Sequence, residues 1–137
     1  MTIYFAGSIS GGRKFVDIYE KIVRYLQSCG HAVLTEHIIQ PNVIEHEGRH
    51  TDEEIYTRDI KWLTSADCLI AEVSNPSLGV GYEICYALNH NVPVLCLYQD
   101  GIFLTRMLTG NTNPGLSVNS YNGEEWKEII DVFLKKL

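Results

Sequence analysis

Short apolar runs alternate with stretches of helical periodicity from one end of the chain to the other. Ile3-Tyr4-Phe5-Ala6 is a run ended by Gly7-Ser8, as expected of a buried strand. Phe15, Ile18, Tyr19, Ile22, Val23 and Leu26 then recur at helical spacing until Gly30 closes the segment. Ala32-Val33-Leu34 predicts a second strand. From about Ile38 to His50 the residues are polar, include Pro41 and Gly48, and predict an irregular loop over the site-bearing face. A helix is expected from about Thr51 to Ser65, opened by a Thr51-x-x-Glu54 capping box. Cys68 to Ala71 is a third strand, Leu78 to Asn89 a helix, and Val92 to Tyr98 a fourth strand with Pro93 near its start. A short helix around Phe103 to Leu108, a weak strand at Leu116 to Val118 and a helix from about Gly123 to Leu137 complete the pattern. Strands separated by helices require crossover connections. The expected fold is therefore α/β: one doubly wound, flavodoxin-like or Rossmann-like domain, a five-stranded parallel sheet with helices on both faces.

Composition narrows the function classes. The 137 residues suffice for one domain and one core. Seventeen acidic residues against 11 basic ones, with no basic run, argue against a grip on polymeric nucleic acid. A small anion remains open, because backbone N–H groups at a helix N-terminus can hold it. No apolar run is long enough for a bilayer, so no membrane partner is expected. Met1 to Phe5 lack a basic leader, and the four cysteines are widely spaced, three of them within apolar segments. A reducing, cytoplasmic setting is the expectation.

Candidate chemistry gathers where parallel strands end. The loop Gly7-Ser8-Ile9-Ser10-Gly11-Gly12-Arg13 and the loop Ser74 to Gly81 should meet there, and the first is able to turn N–H groups toward an anion. It is not a dinucleotide fingerprint or a P-loop. On the helix from Thr51, Asp59 falls in the middle of an apolar stripe of Ile55, Tyr56, Trp62 and Leu63. Such a carboxyl is either bonded to backbone or a neighbouring Arg, or held protonated so that it can donate. On the next helix Glu83 edges the stripe of Val80, Ile84, Ala87 and Leu88, near the helix start, where an ionised carboxylate is favoured. It is a candidate nucleophile or an ordinary first-turn Glu. Two inward carboxyls in unlike environments suit cleavage of a glycosidic bond. Tyr4 is placed to orient Glu83 or to serve as a core residue.

Several strings carry a resemblance: Tyr4-Phe5-x-Gly7-Ser8-Ile9-x-Gly11-Gly12-Arg13, Leu34-Thr35-Glu36-His37, Asp59-x-x-Trp62-Leu63, Ala71-Glu72-Val73, and Pro76-Ser77-Leu78-Gly79-Val80-Gly81-Tyr82-Glu83. Together, over nearly the whole chain, they resemble the 2′-deoxynucleoside 5′-phosphate N-hydrolases of the nucleoside 2-deoxyribosyltransferase family. The resemblance implies that Glu83 attacks C1′ of a nucleotide sugar, that Asp59 gives acid–base help to the leaving base, and that Tyr4 holds Glu83. It implies a substrate site made by Gly7, Ser8, Ile9, Ser10, Gly11, Arg13, His37, Ser77 and Gly79, with Ser77 on the phosphate. It also implies a homodimer in which Thr105 completes the partner's phosphate site. Ser10 stands where some relatives have Arg, and Thr105 where they have Ser.

No cofactor and no metal are expected. His46 and His50 have helical ligand spacing, but fall in the segment read as loop. The competing readings are a transferase that passes the sugar to a second base, a catalytically silent nucleotide-binding module, and a relative acting on ribonucleotides such as CMP.

Overall fold

A computed structural model describes residues 1–9 and 14–137, together with all side chains in those ranges except that of His46. Five strands form one sheet: β1 (Thr2–Gly7), β2 (Ala32–Val33), β3 (Cys68–Glu72), β4 (Val94–Gln99) and β5 (Leu116–Tyr121). Every pairing is parallel, and the spatial order is β2-β1-β3-β4-β5. The chain first winds from β1 outward to β2, then returns past β1 to add β3, β4 and β5. The crevice between β1 and β3 is thus the switch point, where an open parallel sheet receives its ligand. The doubly wound expectation is met.

Alternation along the strands divides the core. Ile3 and Phe5 of β1, Cys68 and Ile70 of β3, and Leu95 and Leu97 of β4 face one side. There α1 (Val16–Ser28) contributes Tyr19, Ile22, Val23 and Leu26, and α6 (Trp126–Leu134) contributes Trp126, Ile130 and Phe133. Tyr4, Ala6, Leu69, Ala71, Val94 and Cys96 face the other side. They meet Leu63 of α3 (Asp52–Ser65) and Val80, Ile84 and Ala87 of α4 (Leu78–Asn89). Central strands buried on both faces explain why the sequence shows continuous apolar runs instead of alternation.

Three expectations are corrected. The segment read as an irregular loop holds a 3₁₀ turn (Glu36–Ile39) and a short α2 (Val43–Glu47). Ile38 and Val43 are buried and pin it to the body, and a single helical turn needs no repeating stripe. β5 runs on to Tyr121, because an edge strand tolerates the exposed Asn119 and Ser120. The stripe on α3 is also narrower than its wheel suggests. Leu63 is buried, Trp62 half-buried, and Tyr56 is 52% exposed, its hydroxyl 3.2 Å from that of Tyr82. The capping box at Thr51 forms as expected, its hydroxyl and the Glu54 carboxylate exchanging backbone N–H bonds.

Candidate active site

A cavity of about 670 Å³ opens at the carboxyl ends of β1 and β3, between α3, α4 and the 36–47 segment. Its floor is built by Tyr4 and Glu83. Tyr4 is buried on the α3–α4 face of β1, and its hydroxyl donates to Glu83 Oε1 at 2.8 Å. Burial, reinforced by the negative charges of Glu83 and Asp59, pushes the Tyr4 phenol far above its ordinary value. It therefore stays a donor at any working pH.

Glu83 departs from its sequence expectation. Ser77 caps α4, accepting a hydrogen bond from the Val80 N–H, so the helix proper starts at Leu78 and Glu83 stands in its second turn. The helix-end N–H groups that favour charge lie before it. Burial instead raises the carboxyl from 4.5 to about 7; the Tyr4 hydrogen bond pulls it down and the Asp59 charge pushes it up. Asp59 has the neighbouring Arg as a partner: its Oδ1 accepts from Arg58 Nε at 2.8 Å. Glu83 is a carboxyl held well above its ordinary value.

The remaining cavity wall comes from Gly7 and Ile9 of the first loop, His37 and Ile38, Ile44 and Glu47, and Pro76 to Val80. Gly7 is required sterically, since a Cβ there would sit 2.9 Å from the Tyr19 ring. Ser77 and Gly79 line the cavity at the start of α4. Ser8 is buried and does not line it; its N–H donates to the Tyr19 hydroxyl at 3.2 Å. Ser10, Gly11 and Arg13 lie outside the described residues.

Residues 3–122 match the family model described as nucleoside 2-deoxyribosyltransferase. The chain belongs to that family. A Methanosarcina mazei protein provisionally named 2′-deoxynucleoside 5′-phosphate N-hydrolase 1 is 42% identical over 137 residues, covering 99% of this chain and 85% of the relative. The 5-hydroxymethyl-dUMP N-hydrolase of Danio rerio is 41% identical over 141 residues, covering 100% and 98%. Among solved structures, the Clostridium botulinum CMP N-glycosidase superposes with a TM-score of 0.70 at 16% identity, covering 96% of this chain and 99% of the other. At that identity the likeness speaks for the fold.

Thr105, the family-implied partner residue, lies outside the catalytic cavity. It caps α5 (Arg106–Thr109), accepting from the Met107 N–H at 3.3 Å. With Ser77, Leu78, Gly81, Phe103 and Met107 it borders a separate apolar groove. Leu78, Phe103 and Met107 are 96%, 83% and 81% exposed, an unusual concentration of bare apolar side chains.

Two site residues escaped the sequence reading, Arg58 and Glu47. Arg58 adjoins Asp59 in sequence, which was a usable signal; Glu47 sits in a polar stretch with none. Among the described residues no group of three or more His, Cys, Asp or Glu side chains is placed to hold a metal, and the His46 side chain lies outside them.

The Glu83 carboxyl sets an expected pH dependence. If its ionised form attacks, kcat/KM climbs about tenfold per pH unit below about 7 and levels off above it. Tyr4→Phe removes the hydrogen bond that favours the charged form, so the limb moves to higher pH. A wild-type limb below pH 5, or one unmoved in Tyr4→Phe, contradicts this assignment.

Proposed function

We propose that this chain hydrolyses the N-glycosidic bond of (2′-deoxy)nucleoside 5′-monophosphates, giving free base and (deoxy)ribose 5-phosphate. The observation that carries the reading is the Tyr4–Glu83 hydrogen bond at the floor of a cavity that also holds Asp59 and the Ser77-capped start of α4. Glu83 attacks C1′ as the bond to the base breaks, and the bonding pair leaves on the base nitrogen. The base nitrogen takes its proton from the Asp59 carboxyl, which can meet it through Oδ2 while Oδ1 is engaged by Arg58. Water then attacks C1′ of the glycosyl-Glu83 ester, restoring the carboxylate, with its proton passing to a base such as Asp59. Two displacements give net retention.

The phosphate is assigned to Ser77 and the first N–H groups of α4, where the helix end favours an anion. His37, Ile38, Ile44 and Glu47 lie on the opposite wall and face the base. A homodimer is part of this reading: the exposed apolar groove beside Ser77 is the surface a second copy would cover, bringing its Thr105 to the phosphate. Four unpaired cysteines, two of them exposed, suit a reducing, cytoplasmic environment.

The test is chromatography of dGMP, dAMP, dCMP, dUMP, 5-hydroxymethyl-dUMP and CMP after incubation, each with and without a competing free base. Release of base from a monophosphate is expected. Base exchange on unphosphorylated nucleosides would replace hydrolysis with transfer, and tight binding with no release would leave a silent binding module.

A further inference from the structure

Arg58 joins two carboxylates, that of Asp59 on its own helix and that of Glu47 on α2. Its Nε donates to Asp59 Oδ1 at 2.8 Å, and its Nη2 to Glu47 Oε1 and Oε2 at 3.1 and 3.4 Å. Glu47 Oε1 also meets His37 Nε2 at 3.2 Å. The guanidinium stacks over Trp62, 4.8 Å from the ring centroid, which fixes its plane. Its side chain is only 22% exposed, and those of Asp59 and Glu47 are 23% and 16%. Pairs this sheltered are screened far less than surface salt bridges. Burial works against the Arg58 charge, yet Asp59 and Glu47 outweigh it and raise its pKa above the ordinary value.

All of these groups border the catalytic cavity except Trp62. One edge of the guanidinium thus holds both the Asp59 carboxylate and Glu47, tying α2 to α3 beside the cavity. We propose that Arg58 is a positioning residue, which aims Asp59 at the leaving base and, through Glu47, straps the 36–47 segment over it. Nη2 also stands 2.8 Å from Asp59 Oδ1, so one flat, rigid edge of the guanidinium, Nε with Nη2, serves both carboxylates. A lysine ammonium is a single point on a flexible stem and cannot reproduce that arrangement.

The inference rests on the hydrolase reading, and its test separates the two. Base release from the best monophosphate of the panel is measured for wild type, Arg58→Ala, Arg58→Lys and Glu47→Gln, with folding followed by circular dichroism. Arg58→Ala is expected to lower kcat about 10- to 100-fold, as misplacement of a reacting group does, with a smaller change in KM. Millimolar methylguanidinium should restore several-fold of that kcat, which a general loss of packing would not allow. Arg58→Lys should recover only a minor part. Glu47→Gln, which loosens the strap but leaves the Asp59 bond, should raise KM several-fold with kcat within about threefold of wild type.

A folded Arg58→Ala with kcat within threefold of wild type overturns the proposal while leaving the hydrolase reading intact. So does a loss that methylguanidinium does not relieve. Should Arg58→Ala fail to fold, Glu47→Gln decides: an unchanged KM removes the strap and with it the proposal. A wild type that releases no base from any panel member removes both readings together.

Discussion

Replacing Glu83 with alanine is expected to abolish base release, by about 10⁴-fold or more, while monophosphate binding stays largely intact. The separation follows from geometry. The phosphate is assigned to the start of α4 and the base to the opposite wall, whereas Glu83 rises from the second turn of α4 against Tyr4. Removing its carboxyl deletes the nucleophile and frees the Tyr4 hydroxyl, but touches no group that anchors either end of the substrate. Binding is read by calorimetry and turnover by chromatography. Near wild-type turnover in Glu83→Ala would end the double-displacement mechanism.

The same residue supplies a control for folding. A carboxyl raised to about 7 in the folded chain binds a proton more tightly than its ordinary value of 4.5 allows. Its contribution to stability is complete below 4.5 and is lost as pH rises through about 7. Glu83→Gln should therefore unfold at a higher temperature than wild type above pH 7, with the difference vanishing toward pH 4. A variant dead in catalysis yet more stable at neutral pH cannot be dismissed as misfolded.

Asp59→Asn is expected to lower kcat by about 10²- to 10³-fold, a smaller loss than that at Glu83. The amide keeps the size of the side chain and can still face Arg58 with its oxygen. It cannot take a proton from the attacking water or assist the base nitrogen. A substrate whose base leaves readily needs less of that help, so the loss should shrink for such a base. Pre-steady-state measurement with a monophosphate should show a slowed second displacement, seen as build-up of the glycosyl-enzyme. A uniform rise in KM with unchanged kcat would instead make Asp59 a binding residue.

The frame of the molecule was legible because buried parallel strands are written as unbroken apolar runs ended by Gly or polar residues, as at Ile3–Ala6 and Cys68–Ala71. Tyr4 and Glu83 could be paired from the sequence, since the strand of one and the helix of the other meet at the same end of the sheet. The charge state of Glu83 could not. It turned on where α4 begins, set by the Ser77 cap, and on how deeply the second turn sinks against β1. Nor did a helical wheel show that Arg58 lies over Trp62 and bonds Asp59, because a wheel of α3 leaves out Glu47, which meets Arg58 from the preceding α2. Periodicity reports which face is inward. It does not report which partner is waiting there.

Tyr19 is an ordinary core residue by every sequence criterion, fully buried on α1 beneath the sheet. Yet its ring is what forbids a side chain at position 7, and its hydroxyl receives the amide of Ser8. The first substrate loop is thus hung from the hydrophobic interior, with no clear border between scaffold and site. Any repacking of that interior, whether by mutation or by design for heat resistance, reshapes the mouth of the cavity as well. A gain in robustness at Tyr19 and a change in substrate preference would be one event.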